Sequence, residues 1–207
     1  MLRNTLLYLS AQPRIFKFVR NNRVAKSFAN RFVAGETLDT ALAAVTRLNA
    51  RGITASLDLL GESVHNEAEA RAAGDEYLTM LDRIHERRAD ANVSVKLTAM
   101  GLDISEELCV AIMHRILQRA RDYNTFVRID MENSPYTDVT LEVFNTLWQL
   151  GYRDLGVVLQ SDLFRTERDV VRMNELGARV RLVKGAYKEP ASIAHQRKAD
   201  VDAAFLR

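Results

Sequence analysis

The chain has 207 residues, 47% hydrophobic and 27% charged, which excludes a disordered or fibrous polymer and fits a soluble globular protein of about one domain. Its formal net charge of +2 excludes the strongly basic class, and the single Cys109 excludes a disulfide framework or a thiolate metal cluster, in keeping with a reducing cytoplasm. The charge is uneven: residues 1–35 hold seven Lys and Arg and no acid, leaving 22 basic against 27 acidic residues in the remainder.

That basic head comes first. "TLLYLSAQPRIFKFVRNNRVAKSFANRFV" predicts two or three short amphipathic helices broken at Pro13 and near Asn21-Asn22. It is Arg-rich and acid-poor, as a transit peptide is, but has no apolar run of secretory or membrane-spanning length. A basic head on an acidic body implies an anionic partner such as a membrane surface or nucleic acid; the alternative is a helical extension packed on the body. The predicted organisation is a helical segment over 1–50 and a second domain over 51–207.

From Gly52 the chain alternates. "ITASLDLL" (53–60), "VSVKLT" (93–98), "FVRIDME" (126–132), "GVVLQS" (156–161) and "RVRLVKG" (179–185) are β-branched runs. Between them lie helical stripes in 66–87 (Tyr77, Met80, Leu81, Ile84) and 105–122 (Leu108, Ala111, Ile112, Ile116). Two more follow, around Leu141, Phe144, Leu147 and Trp148, then Val170, Met173 and Leu176. Strand–helix alternation predicts a parallel sheet with helical crossovers. In each strand one side-chain parity is apolar. The other ends on a polar group, in turn Asp58, Lys96, Asp130, Gln160 and Arg181, where parallel α/β folds place their ligand sites. The last strand is unusual, since Arg179, Arg181 and Lys184 flank its apolar residues and imply an anionic partner; the alternative for the whole set is structural ion pairs such as Lys96–Asp130. No G-x-G-x-x-G or Walker A loop supports a doubly wound nucleotide fold, so a barrel is the expected architecture. Strands begin about 32 residues apart, which puts a sixth beyond Arg207; the expectation is five strands of an eight-stranded barrel, an incomplete chain.

"LDLLGE", "VSVKLT", "RIDME", "VVLQS" and "RLVKGAY", in this order, resemble the proline dehydrogenases, flavin enzymes on a distorted (β/α)8 barrel, and the head resembles the N-terminal helices of the single-function bacterial members. The resemblance implies FAD-dependent oxidation of L-proline to 1-pyrroline-5-carboxylate, with electrons passed to a membrane quinone. The implied location is the cytoplasm, peripheral at the inner membrane face. It implies catalytic roles for Asp130 and Arg181, the latter beside the flavin, and substrate contacts for Lys96 (the proline carboxylate) and Tyr187. It places cofactor contacts at Met131, Gln160, Arg181, Lys184, Gly185 and Ala186, and a gate carboxylate at Glu62. The family's Tyr-x-x-Arg-Arg arginine pair, which clamps the proline carboxylate, is absent from these 207 residues; the implication is that they are inactive alone.

The histidines, His65, His85, His114 and His195, are scattered without ligand spacing, so no metal is expected, and nothing in the body suggests nucleic-acid binding. Two other readings remain open. Lys96 and Lys184 at strand ends suit a Schiff-base aldolase, and a truncated barrel could serve only to associate with a membrane or another chain.

Overall fold

The computed structural model describes residues 37–59, 61 and 64–207; the basic head with its expected helices, and Glu62, lie outside the described residues. The chain divides into two compact units between Ile53 and Thr54. In the first, helix α1 (Leu38–Asn49) starts at a reciprocal cap: the Thr37 hydroxyl accepts from the Thr40 N–H, and the Thr40 hydroxyl accepts from the Thr37 N–H.

The second unit is a five-stranded parallel sheet in the order β1-β2-β3-β4-β5, curled into a half-barrel with helices on its outside. The strands are β1 (Ala55–Asp58), β2 (Ala91–Val95), β3 (Val127–Ile129), β4 (Leu155–Gln160) and β5 (Arg179–Val183). Between them run α2 (Glu67–Glu86), α3 (Glu106–Asp122), α4 (Thr137–Gln149) and α5 (Thr166–Leu176), with α6 (Lys198–Leu206) after β5. Each crossover joins neighbouring parallel strands, as the strand–helix rhythm predicts.

Local signals set the helix limits. Asn66 caps α2 by accepting from the Glu69 N–H at 3.0 Å, while the Glu69 carboxylate accepts from the His65 N–H at 2.8 Å. Ser105 caps α3 through the Leu108 N–H, and Gly177 ends α5 in the left-handed conformation. The buried α2 stripe Ala70, Gly74, Tyr77, Leu81 and Ile84 meets α3, and Gly74 allows the close approach: a Cβ there would lie 2.6 Å from Ile112 Cγ2.

Strand parity divides the molecule as the sequence implies. Leu57, Val93, Val95, Val127, Ile129, Leu155, Val157 and Leu159 are all buried and form the layer under the helices. The opposite parity carries Ser56, Asp58, Ser94, Lys96, Arg128, Asp130, Gln160, Arg179 and Arg181 along the inner face. Val180, Leu182 and Val183 do not form the buried strand that their composition suggests. All are half-buried, because β5 pairs only with β4 among the described residues and is covered on one edge alone. Arg179 and Lys184 are exposed for the same reason.

Gly156 on β4 sits in a tight part of the inner face. A Cβ there would lie 2.5 Å from the Arg179 carbonyl oxygen and 2.6 Å from Phe126 Cζ. The Phe126 ring is flanked by Arg128 and Arg179, whose guanidinium carbons lie 5.2 and 4.9 Å from its centroid.

Candidate active site

The C-terminal strand ends carry two ion pairs, arranged differently from the Lys96–Asp130 pairing that the sequence offers as a structural alternative. Lys96 Nζ donates to Asp58 Oδ2 at 2.6 Å, joining β1 to β2. Arg181 Nη2 donates to Asp130 Oδ1, joining β5 to β3 across β4. The two pairs influence one another. Burial pushes the Asp130 carboxyl above the usual range; Arg181 opposes this, Asp58 adds to it, and Lys96 opposes it again. Lys96 and Asp130 are each 16% exposed and Arg181 is 39% exposed, so the site is partly dry and open on the β5 side.

Polar side chains also tie the strand ends together just beyond these pairs. Gln160 Nε2 donates to the Glu132 carbonyl at 3.0 Å. The buried Glu132 carboxylate accepts from the Thr98 N–H at 3.2 Å and from the Thr98 hydroxyl at 2.7 Å. Thr98, Glu132 and Gln160 thus tie β2, β3 and β4 at one level. Sequence reasoning passes over Thr98 and Glu132; the available signal was a second carboxylate beyond Asp130 at the same strand end, which burial obliges to find donors.

The loop after β5 is held in the same way. Glu189, buried, accepts from the Ser134 N–H at 2.9 Å and from the Ser134 hydroxyl. The Asp162 N–H donates to the Lys184 carbonyl and the His195 N–H donates to the Asp162 carbonyl, fastening the loop after β5 to the one after β4. Gly185 adopts φ +99°, and a Cβ on it would overlap the Asp162 carboxylate. The bare side of this glycine therefore faces Asp162. Burial, then Glu189, push the Asp162 carboxyl up from the ordinary 3.8.

The remaining expected site residues fall as follows. Lys184 Nζ pairs with Asp202 Oδ1 of α6 at 2.6 Å and lies over the Phe205 ring. Met131 is buried, Tyr187 half-buried and Ala186 exposed. The structure thus joins Asp58, Lys96, Asp130 and Arg181 through two mutually sensitive pairs, connects Gln160 to Glu132, and engages Lys184 with α6. Both candidate Schiff-base lysines are ion-paired to carboxylates, whereas an aldolase lysine is activated by desolvation or a cationic neighbour.

Comparison with known proteins decides the family. The sequence profile described as proline dehydrogenase matches residues 41–205. Proline dehydrogenase 1 of Bacillus subtilis subsp. natto is 38% identical over 205 residues, covering 99% of this chain and 67% of that protein. The chain belongs to the proline dehydrogenase family. Proline dehydrogenase of Deinococcus radiodurans is 36% identical over 211 residues, with all of this chain and 67% of the relative covered. Among solved structures, proline utilization A from Bdellovibrio bacteriovorus, inactivated by N-propargylglycine, superposes with a TM-score of 0.78 at 25% identity, over 87% of this chain and 24% of that one. The chain therefore spans about two thirds of the curated relatives and a quarter of the solved neighbour. Membership in this family of proline oxidoreductases, together with the lysine pairing, overturns the aldolase reading.

Proposed function

We propose that the strand ends bind L-proline and FAD, and that the protein oxidises proline to 1-pyrroline-5-carboxylate. The observation that best supports this is Arg181. Its guanidinium pairs with Asp130 through Nη2, yet its buried Nε has no acceptor among the described residues. A buried charge-bearing donor without a partner is costly, and the electron-rich edge of a flavin would supply the acceptor. The residues fit the cofactor on this ground, and Arg181, Gln160, Met131, Lys184, Gly185 and Ala186 would hold it.

A bound flavin supplies the hydride acceptor for the ring carbon next to the proline nitrogen. Lys96 receives the carboxylate of proline as a point charge while keeping Asp58 on its other side. Asp130 holds Arg181 in place. Arg181, fixed in a partly dry site, stabilises negative charge that develops beside it. Tyr187 walls the substrate pocket, and Glu62 acts as a gate over it. The bidentate clamp of an arginine pair is not found in these 207 residues, so within them the carboxylate of proline rests on Lys96.

A membrane quinone would accept the electrons, and the basic residues 1–35 would attract the protein to anionic lipid at the inner membrane face from the cytoplasm. No helix among the described residues is long and apolar enough to cross a membrane. Removing the head should abolish co-sedimentation with anionic liposomes; unchanged sedimentation would sink the lipid contact.

The direct test of the activity is product capture. The FAD-loaded protein with L-proline and a dye acceptor should reduce the dye and release an imine trapped by o-aminobenzaldehyde. Dye reduction without the imine, or neither, would remove the proposal.

A further inference from the structure

Tyr77 reads in the sequence as one member of the α2 core stripe, and it is 1% exposed. Its ring does fill the interface between α2 and the sheet. Packing alone, however, asks only for phenylalanine. The hydroxyl is a polar atom carried to full burial, and its surroundings account for it. Its single proton is shared between the Ser94 carbonyl at 2.7 Å and Asp58 Oδ1 at 3.2 Å, and its oxygen accepts from the Leu59 N–H at 3.4 Å. All three partners lie at the C-terminal ends of β1 and β2, next to Lys96.

The Asp58 carboxylate is thereby held from both sides. Oδ1 meets Tyr77, and Oδ2 receives Lys96 Nζ at 2.6 Å. A lysine on four rotatable bonds does not choose one position by itself; a carboxylate fixed at both oxygens restricts it. The Ser56 and Ser94 hydroxyls, 3.1 Å apart, tie the same two strands one residue pair further back, leaving Asp58 to Tyr77 and Lys96.

We propose that Tyr77 is a positioning residue: acting through Asp58, it fixes the Lys96 ammonium at the strand ends where a substrate carboxylate is received. Burial, reinforced by the Asp58 carboxylate, drives the phenol's ionisation far above neutrality, so the hydroxyl stays a neutral donor whenever Asp58 is charged. The inference rests on the reading of Lys96 as the carboxylate-binding residue, but its first test does not.

That test is a stability cycle needing no cofactor or substrate. Asp58→Asn and Lys96→Met, singly and together, give the coupling of the ion pair in urea unfolding of the whole chain. A part-buried pair of this kind should contribute about fivefold to the folding equilibrium constant. Repeated in a Tyr77→Phe background, the coupling should fall below about twofold. A phenylalanine that merely loosened the core would lower overall stability and leave the coupling intact, and that result overturns the proposal. Should Tyr77→Phe not fold, the same cycle in a Tyr77→Leu background serves in its place, and an undiminished coupling there is equally fatal.

The second arm is kinetic. In the FAD-loaded protein, Tyr77→Phe should raise KM for L-proline about three- to tenfold while kcat changes by less than about twofold. An equal loss in kcat with KM unchanged contradicts positioning of Lys96. If Lys96→Met itself leaves KM unaltered, the substrate role of Lys96 fails, while the ion-pair coupling still reports on Tyr77 and Asp58 alone.

Discussion

Replacing Gly156 with alanine tests whether the inner face is packed as described. The added methyl would lie 2.5 Å from the Arg179 carbonyl oxygen and 2.6 Å from Phe126 Cζ, about 1 Å inside an ordinary carbon contact on each side. The first neighbour is backbone of the adjoining strand. The second belongs to a ring flanked by Arg128 and Arg179, so it has little room to retreat. Overpacking of this kind costs about 1–3 kcal/mol. Restricting the unfolded chain at a former glycine returns roughly 0.5–1 kcal/mol. The net expectation is a loss of about 1–2 kcal/mol, read as a lower urea midpoint with an unchanged m-value. Phe126→Leu should recover part of the loss in the double variant, and the clash with the Arg179 carbonyl should keep the rest. A Gly156→Ala protein as stable as the parent would refute the close β4–β5 approach. Because Arg181 stands two residues along β5 from the contact, the same variant should also weaken flavin binding.

Further outcomes follow from other contacts. Gly185→Ala should lose about 2–4 kcal/mol by combining a left-handed backbone with overlap on Asp162, and Asp162→Ala in the same chain should relieve the overlap portion; denaturant titration separates the two. Asp162 has a raised carboxyl pKa in the fold, so its ionisation opposes folding: stability associated with it is full below pH 3.8 and is lost as pH rises through the folded value. Asp162→Asn should therefore gain on the parent toward neutral pH and lose that advantage near pH 3.8, as unfolding curves at several pH values would show. Thr98→Val strips one donor from the buried Glu132 carboxylate and should cost about 1–3 kcal/mol, with Glu132→Gln less sensitive to it. The Cys109 thiol, fully buried and pushed up to about 12, should react with a thiol reagent only after unfolding.

Period and parity made much of this molecule legible in the sequence. The β-branched runs ending in Asp58, Lys96, Asp130 and Gln160 lie on adjacent parallel strands, and their polar parity is the inner face, because an alternation of two residues leaves no other way to bury Val93, Val95, Val127 and Ile129. The partners were less legible. Lys96 pairs with Asp58 rather than Asp130, a choice fixed by neighbouring strand ends and invisible in a list of charges. The anchoring groups Thr98, Glu132, Ser134 and Glu189 act through loop geometry that period does not encode. Tyr77 hid in a helical stripe because spacing reports burial and says nothing of where a hydroxyl reaches. β5 misled for a different reason: composition speaks for a strand's faces, whereas its exposure depends on what pairs with its edge.

The most direct measurement is an anaerobic visible spectrum of the FAD-loaded protein, taken before and after L-proline, for the parent and for Lys96→Met. The site described here predicts that proline bleaches the flavin band of the parent, and that Lys96→Met demands far more proline for the same bleaching. A flavin that binds and stays oxidised in the parent, or bleaches equally well without Lys96, would contradict the placement of proline at these strand ends.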